Sequence, residues 1–363
     1  MSFSDISYMR RALELAREAR MICPPNPAVG CVIVKDRRVI GEGHTQRTGE
    51  AHAEVMALRD AERRGESVEG ATVYVTLEPC SHYGRTPPCA LALKNARVAR
   101  VVAALKDPNP LVSGRGLKML EEAGIEVESG VGAREAEDIN KGFLKRQRTG
   151  MPWVRSKFAM SLDGNTALSN GVSKWITGEE ARRDGHFWRA ISGAVLTGSG
   201  TVEADDPLMN ARIEGAERQP LKVVVDSQLR LSPDLKIFKE GKVLLVCAFY
   251  DIVRAQMFEA QGVEVIELRG ADGKVNLKAL CAELGRREIN EVHVEAGARL
   301  NGALAMQGLI DEYLIYAAPR LLGQGRKLLD LPTLQNLSEG IALEFIDVEK
   351  VGPDLRLLLR PAG

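Results

Sequence analysis

The chain alternates helical and extended patterns from its first residues. "MSFSDISYMRRALELAREAR" sets apolar side chains at helical spacing among charged ones, which predicts an amphipathic helix over 8–21. "AVGCVIVKDRRVIGEGH" reads as two apolar strands joined at a charged turn. "AHAEVMALRDAERRG" returns to helical spacing, with Gly65 as its stop, and "ATVYVTLEP" is a β-branched strand. A helix is expected from Pro88, then the strand "RVVAAL" and a helix in "GRGLKMLEEAG". This is an α/β layer pattern. The basic segment "INKGFLKRQRTGMP", with Gly142, Gly150 and Pro152, marks a domain boundary and predicts domains at 1–147 and 148–363. A second α/β series follows, with strands in "WVRSKFAM", "GAVLTG", "LKVVVDS", "KVLLVCAF", "VEVIEL", "EVHVEAG" and "EYLIYAAP". No internal repeat or low-complexity tract interrupts it.

A length of 363 residues suits two domains, and 45% hydrophobic with 27% charged residues is a globular balance. Lysine plus arginine equal aspartate plus glutamate at 49 each, so no global charge draws the chain to nucleic acid or an anionic membrane. No apolar run approaches the roughly 20 residues of a membrane span. The charged amphipathic start differs from a signal peptide, so a cytoplasmic location is expected. In that compartment Cys23, Cys31, Cys80, Cys89, Cys247 and Cys281 are not a disulfide framework, and most are expected to be buried thiols.

Four residues carry candidate chemistry. "AHAE" puts His52 and Glu54 at the start of a helix, and a strand then leads to Cys80, with Cys89 beyond it. Zinc takes imidazole and thiolate ligands tetrahedrally, and a catalytic site leaves one position for water. His52, Cys80 and Cys89 would supply three ligands. Glu54 would face the open position and shuttle a proton to a leaving nitrogen. Alone, an HxE is most often a helix surface, and two cysteines are most often packed thiols. Together and in this order they match the H-x-E…P-C signature of zinc deaminases, although eight residues separate the cysteines here instead of two. Pro87 and Pro88 would stiffen that loop and start the next helix, returning Cys89 to the metal. Two competing readings stay open. A nucleic-acid base deaminase shares the zinc logic, but 5% aromatics and balanced charge give it little binding surface. A non-catalytic zinc module would close the site with His82 or Cys31.

The second half carries no full dinucleotide fingerprint. "GSGTVE" has G-x-G without a third glycine. "EVHVEAGARLNGAL" reads as a buried strand, then Gly297, then a helix opening near Asn301, whose start could hold phosphate. A tight turn using glycine only for its conformation is the plainer reading.

With "PNPAVG" at 25–30, "HAE" at 52–54 and "EPCSHYGRTPPC" at 78–89, the first half resembles the deaminase domain of the bifunctional riboflavin-biosynthesis deaminase–reductase family. "KFAMSLDG", "SKWITG", "RAISGAVLTGSGTVEADDPLMNAR", "VVVDS" and "VEAGARLNGAL" extend the resemblance to its reductase domain. It implies a cytidine-deaminase-like zinc domain followed by a dihydrofolate-reductase-like domain. His52, Cys80 and Cys89 become zinc ligands and Glu54 the proton shuttle. Asn26, His44, His82 and Arg85 become substrate contacts, and Cys23 and Cys31 packing residues. In the second domain Ala159, Trp175, Thr201, Asp205, Ser227, Gly297, Ala298, Arg299, Leu300, Asn301, Gly302 and Ala303 would line an NADPH site. Lys157, Ser173, Thr177, Arg189, Met209, Arg212 and Glu295 would meet a sugar-phosphate substrate, the two arginines as phosphate forks and the carboxylates of Asp205 and Glu295 on ribose hydroxyls. The implied partners are a small phosphorylated pyrimidine, neither nucleic acid nor membrane, and further copies of the chain joined through the reductase domain. A second domain without catalysis is the remaining alternative.

Overall fold

The computed structural model describes residues 3–83, 87–108 and 113–362. The chain divides into two compact units, 1–150 and 151–363.

In the first unit the elements run α1 (Phe3–Ala19), β1 (Gly30–Lys35), β2 (Arg38–His44), α2 (Ala53–Arg63), β3 (Thr72–Val75), α3 (Cys89–Asn95), β4 (Arg100–Ala103), α4 (Arg115–Glu122), β5 (Glu126–Ser129), α5 (Ala133–Ile139) and α6 (Lys141–Thr149). The sheet order is β2-β1-β3-β4-β5, antiparallel around β1 and parallel from β3 to β5. Alternation along the strands feeds two cores. Cys31, Ile33, Val73, Val75 and Val101 face one, with α2, α3, α4 and α6, while Val32, Val34, Tyr74 and Val102 face the other, with α1 and α5.

Two expectations shift here. The first helix begins at Phe3, five residues before Tyr8, because buried Asp5 accepts hydrogen bonds from Tyr74 Oη at 2.7 Å and Arg100 at 2.9 Å. The segment that marks the boundary contains the helix α6, whose Phe143 and Leu144 enter the core. It runs through the expected 147/148 boundary until Gly150, at φ 73°, ends it, so the division falls at 150/151.

Backbone proximity sets the geometry near the "EPC" turn. A Cβ on Gly43 in β2 would lie 2.5 Å from Ala57 N, so its absence lets α2 lie flat on that strand. A Cβ on Gly116 would lie 1.9 Å from Pro79 O, so α4 starts directly against the turn that precedes Cys80. Glu78 fastens the same junction. Its buried carboxylate accepts from the amides of Asp107 (3.1 Å), Gly114 (2.9 Å), Gly116 (2.9 Å) and Leu117 (3.4 Å).

The second unit contains β6 (Trp153–Ser161), β7 (Asn165–Leu168), α7 (Glu179–Ile191), β8 (Ala194–Gly198), α8 (Ser199–Asp205), β9 (Leu221–Val225), β10 (Val243–Cys247), α9 (Ile252–Glu259), β11 (Glu264–Glu267), α10 (Leu277–Arg286), β12 (Glu291–Val294), α11 (Ala298–Met306), β13 (Glu312–Ala318), β14 (Gly325–Lys327), β15 (Leu343–Val351) and β16 (Asp354–Pro361). Nine strands form one sheet in the order β11-β10-β9-β8-β12-β6-β13-β16-β15. It is parallel as far as β13, and β16 and β15 add antiparallel to it. Those last two strands and the small β7–β14 pair were not expected from the sequence. One face packs Val292, Val294, Leu196 and Val223 against α10 and α11. On the other, Val195, Val224 and Leu245 meet Val202 of α8 and Phe258 of α9. Beneath α7 the filling is polar. Fully buried Arg155 bonds Glu312 at 2.6 Å and Glu291 at 2.8 Å, with its guanidinium 4.3 Å from the Trp188 ring.

Glu78→Gln keeps the side chain's shape but turns an amide donor toward backbone donors. The first unit should lose about 2–3 kcal/mol, seen as an earlier denaturant midpoint for its transition. An unchanged midpoint would show that the carboxylate does not hold the turn.

Candidate active sites

In the first unit, three elements deliver the metal-ligand set. His52 is the N-cap of α2, Cys80 follows β3, and Cys89 is the first residue of α3. His52 Nδ1 lies 3.4 Å from Cys89 Sγ and 3.7 Å from Cys80 Sγ, and the three potential ligand atoms all fall within 4.8 Å of one another. The Cys89 amide donates to Cys80 Sγ at 3.3 Å, and Ala90 N donates to Cys80 O at 3.1 Å, so the start of α3 closes onto the first cysteine. The Cys89 thiol, His52 and that amide draw the Cys80 thiol down to about 4, while the proton shared with Cys80 and burial push Cys89 up. One thiolate beside one imidazole and a second thiol is a donor set that fits zinc, with three protein ligands and a fourth direction left over.

Glu54 stands in the first turn of α2 and is buried. Burial, then the neighbouring Cys80 charge, raise its carboxyl to about 7. Neither Cys31 nor His82 joins the cluster among the described residues. Cys31 is fully buried, and its thiol is raised by burial and by the Glu54 charge. Cys23 is also buried and donates to Asn26 O. His44 closes β2 opposite Gly30, and its Nδ1 lies 3.2 Å from Thr45 O. Thr45 N bonds Val29 O and Thr76 N bonds Gly30 O. His44 and the segment after Asn26 therefore meet the sheet at the edge from which β3 runs on to Cys80. His82 is exposed on the following loop, and Arg85 lies outside the described residues.

The second unit holds a cavity of about 1950 Å³. Its lining includes Lys157, Ser173, Trp175, Arg189, Thr201 and Asp205, together with Met209, Arg212, Ser227, Glu295 and 297–300. The helix after Gly297 opens at Ala298, three residues earlier than expected, so the N-termini of α11 and α8 both border the cavity. Amides at such ends, with a lining where cations outnumber carboxylates, fit the diphosphate of a nicotinamide dinucleotide.

Five expected lining residues stand elsewhere. Asn301 is fully buried, accepting from Ser156 Oγ at 2.6 Å and donating to Ala296 O at 2.7 Å. Gly302 packs on the Asp330 backbone, and Ala303 follows it into the core side of α11. Ala159 is a β6 residue paired with Tyr316, and buried Thr177 gives its carbonyl to Arg182 at 2.7 Å.

The charged residues are already paired among themselves. Arg189 grips both Glu295 oxygens, Oε2 at 2.9 Å, and also bonds Asn210 O at 3.0 Å. Lys157 Nζ lies 3.8 Å from Glu295, and His293 Nε2 lies 3.3 Å from it but off a hydrogen-bond line. These cations overcome burial and hold the Glu295 carboxyl well below its ordinary range. Asp205 pairs with Lys174 at 3.2 Å. Arg189 is thus a clamp on Glu295 before it is a fork for phosphate. His186, on α7, also lines the cavity. A lone histidine on an amphipathic helix has no distinguishing spacing, so no pattern along the chain points to it.

Comparison with known proteins now decides the family. Residues 3–105 match the cytidine and deoxycytidylate deaminase zinc-binding region, and residues 152–357 match the RibD C-terminal domain. The Riboflavin biosynthesis protein RibD of Escherichia coli is 47% identical, with 98% of this chain and 99% of that protein covered. The chain belongs to the RibD family. The Haemophilus influenzae RibD is 45% identical over 100% of this chain and 99% of its own. Acinetobacter baumannii RibD superposes with a TM-score of 0.91 at 45% identity, covering 99% of each chain. A Thermotoga maritima protein described as a diaminohydroxyphosphoribosylaminopyrimidine deaminase/5-amino-6-(5-phosphoribosylamino)uracil reductase superposes at 0.88 with 32% identity, again over 99% of each chain. The fold is thus a cytidine-deaminase-like zinc unit followed by a dihydrofolate-reductase-like unit, the bifunctional arrangement of this family. No helix among the described residues is long and apolar enough to cross a membrane.

Burial first, then Arg189 and Arg212, depress His186 from an ordinary 6.5 to about 4. The folded protein then binds fewer protons than the unfolded chain, and stability falls as pH drops from about 6.5 toward 4. His186→Gln should lose less melting temperature than the parent between pH 7 and pH 4.5; an equal loss would mean the ring is not held neutral.

Proposed function

We propose that the two units catalyse consecutive steps of riboflavin synthesis. The first deaminates 2,5-diamino-6-(5-phosphoribosylamino)pyrimidin-4(3H)-one to 5-amino-6-(5-phosphoribosylamino)uracil, and the second reduces the ribosyl side chain to ribityl with NADPH. The observation that carries this reading is the convergence of His52, Cys80 and Cys89 on one point with Glu54 buried beside them. It occurs in a chain that matches bifunctional relatives along nearly its whole length.

His52, Cys80 and Cys89 would hold zinc, which would supply a Lewis acid to make a water reactive toward the ring carbon bearing the amino group. Glu54 accepts a proton from that water and gives it to the amino nitrogen, so that the carbon–nitrogen bond breaks and ammonia leaves, while the second water proton passes to the ring nitrogen and a ring carbonyl remains. Asn26 and His44, at the strand edge beside the cluster, and His82 and Arg85, in the loop between the cysteines, are assigned to hold the pyrimidine and its phosphate.

In the second unit NADPH supplies the hydride. The amides of Ala298, Arg299 and Leu300 and the side chain of Thr201 would receive its diphosphate, and Trp175 and Ser227 line the same cavity. Lys157, Ser173, Met209, Arg212 and Glu295 position the sugar. Arg189 fixes Glu295 with one carboxylate face held, so the sugar meets a carboxylate that does not have to be reorganised.

The substrate is read as a small molecule and the compartment as cytoplasmic. All six cysteines are free, and two of them must stay reduced to serve as ligands. The chain is further read as a homo-oligomer through the second unit. The edge strand β15 is exposed along its middle seven residues and presents Phe345, Ile346 and Val348 to solvent. A long apolar edge of that kind is stable in solution when another strand or face covers it.

Glu54→Gln should retain zinc and lose deamination by about a hundredfold or more, with NADPH oxidation on the deaminated substrate intact. Ammonia release, absorbance at the NADPH band and metal content read these separately; loss of zinc would make Glu54 a ligand. Phe345→Lys should convert the assembly to smaller species in sedimentation velocity, whereas an unaltered sedimentation coefficient would place the interface elsewhere.

A further inference from the structure

We infer that His186 is a phosphate-recognition residue of the reductase cavity, its Nε2–H and the Arg212 guanidinium together receiving the 5-phosphate of the sugar substrate. The assignment rests on the reductase reading of the second unit.

Arg182, His186 and Arg189 recur at intervals of four and three along α7, so they share one face, and all three line the cavity. The two arginines are occupied. Arg182 stacks 4.6 Å over the Trp175 ring and donates to Thr177 O at 2.7 Å. Arg189 is held by Glu295 and Asn210 O. His186 is differently placed. The backbone amide of Arg212 donates to its Nδ1 at 3.3 Å. A ring nitrogen that accepts must be unprotonated, so in the neutral ring the proton sits on Nε2, which is then a donor.

The groups around the ring define what that donor would meet. Arg189 and Glu295 form one pair, which Lys157 also approaches. Arg212 comes from the segment after α8, and its guanidinium bonds the neutral side chain of Asn210 and makes no ion pair among the described residues. Glu295 is therefore taken by Arg189, while Arg212 has no carboxylate partner among the described residues. Burial first, then the two cations, oppose protonation of the imidazole and outweigh Glu295 and the Asn210 backbone beside the ring, so His186 contributes a neutral donor and Arg212 the charge. An anion with several acceptor oxygens, a phosphate monoester, satisfies both at once.

Three full-length proteins test this: the parent, His186→Asn and His186→Gln. Asparagine can place its oxygen where Nδ1 was, keeping the Arg212 amide bonded while deleting the outward donor. Glutamine can place its nitrogen where Nε2 was. Titration calorimetry with ribose 5-phosphate, without cofactor, should show about a tenfold loss of affinity for His186→Asn and recovery of most of it in His186→Gln. NADPH affinity, read by its fluorescence, should be equal in all three. With the deaminated substrate, His186→Asn should raise KM and leave kcat in place. Unchanged ribose 5-phosphate affinity in His186→Asn, or a matching loss of NADPH affinity, overturns the assignment and leaves the reductase reading standing. A parent protein that oxidises no NADPH on that substrate sinks the reductase reading, and the assignment with it.

Discussion

A buried carboxylate must be met by donors or carry a proton, and three glutamates in this chain meet that demand in three ways. Glu78 is met by backbone amides at the start of α4 and becomes a fastener. Glu295 is met by cations from α7 and β6 and becomes a fixed negative charge in a cavity wall. Glu54 is as deeply buried, with a thiolate for a neighbour and no arginine or lysine among its influences, and its carboxyl rises to about 7. The difference between a structural carboxylate and a reactive one therefore lies in which donors the backbone brings to it.

The donors are set by the parallel portions of the two sheets. In each unit a strand ends, the chain turns, and a helix begins close to the reactive side chains: β3 before Cys80 and α3, β8 before α8, β12 before α11. Helix starts carry unpaired amides, so the thiolate of Cys80 and the phosphates of a dinucleotide call for the same local arrangement. Gly43 and Gly116 matter for this reason, since each removes a side chain where a helix must lie directly on a strand or turn.

Much of the first site was legible because metal ligation depends on residue identity: His52, Glu54, Cys80 and Cys89 announce themselves by type and order. Packing distances and shared protons do not. The resemblance implies Arg189 as a phosphate fork, and nothing in a linear sequence shows that Glu295, more than a hundred residues on, also bonds it. Asn301 looked like cofactor lining because its bond to Ser156 is a contact between distant elements. The strands β15 and β16 escaped notice because "LEFIDVEK" mixes charged and apolar residues without a clean buried face, as its exposure along the edge explains. The basic segment 139–152 does hold the division, but its helix was not legible because Phe143 and Leu144 are a single apolar pair among charged residues.

The bonds from Cys89 N and Ala90 N back to Cys80 have a consequence for how such proteins diversify. They close the base of the loop between the cysteines into a ring that does not involve the eight residues inside it. The enclosed segment is then an appendage whose length and composition can change at the entropic cost of loop closure alone, which grows only slowly with length. A spacing rule written for two intervening residues describes one size of that appendage. Selection can lengthen and rewrite it to choose a new substrate while the thiolates, the imidazole and the carboxyl beneath stay where they were.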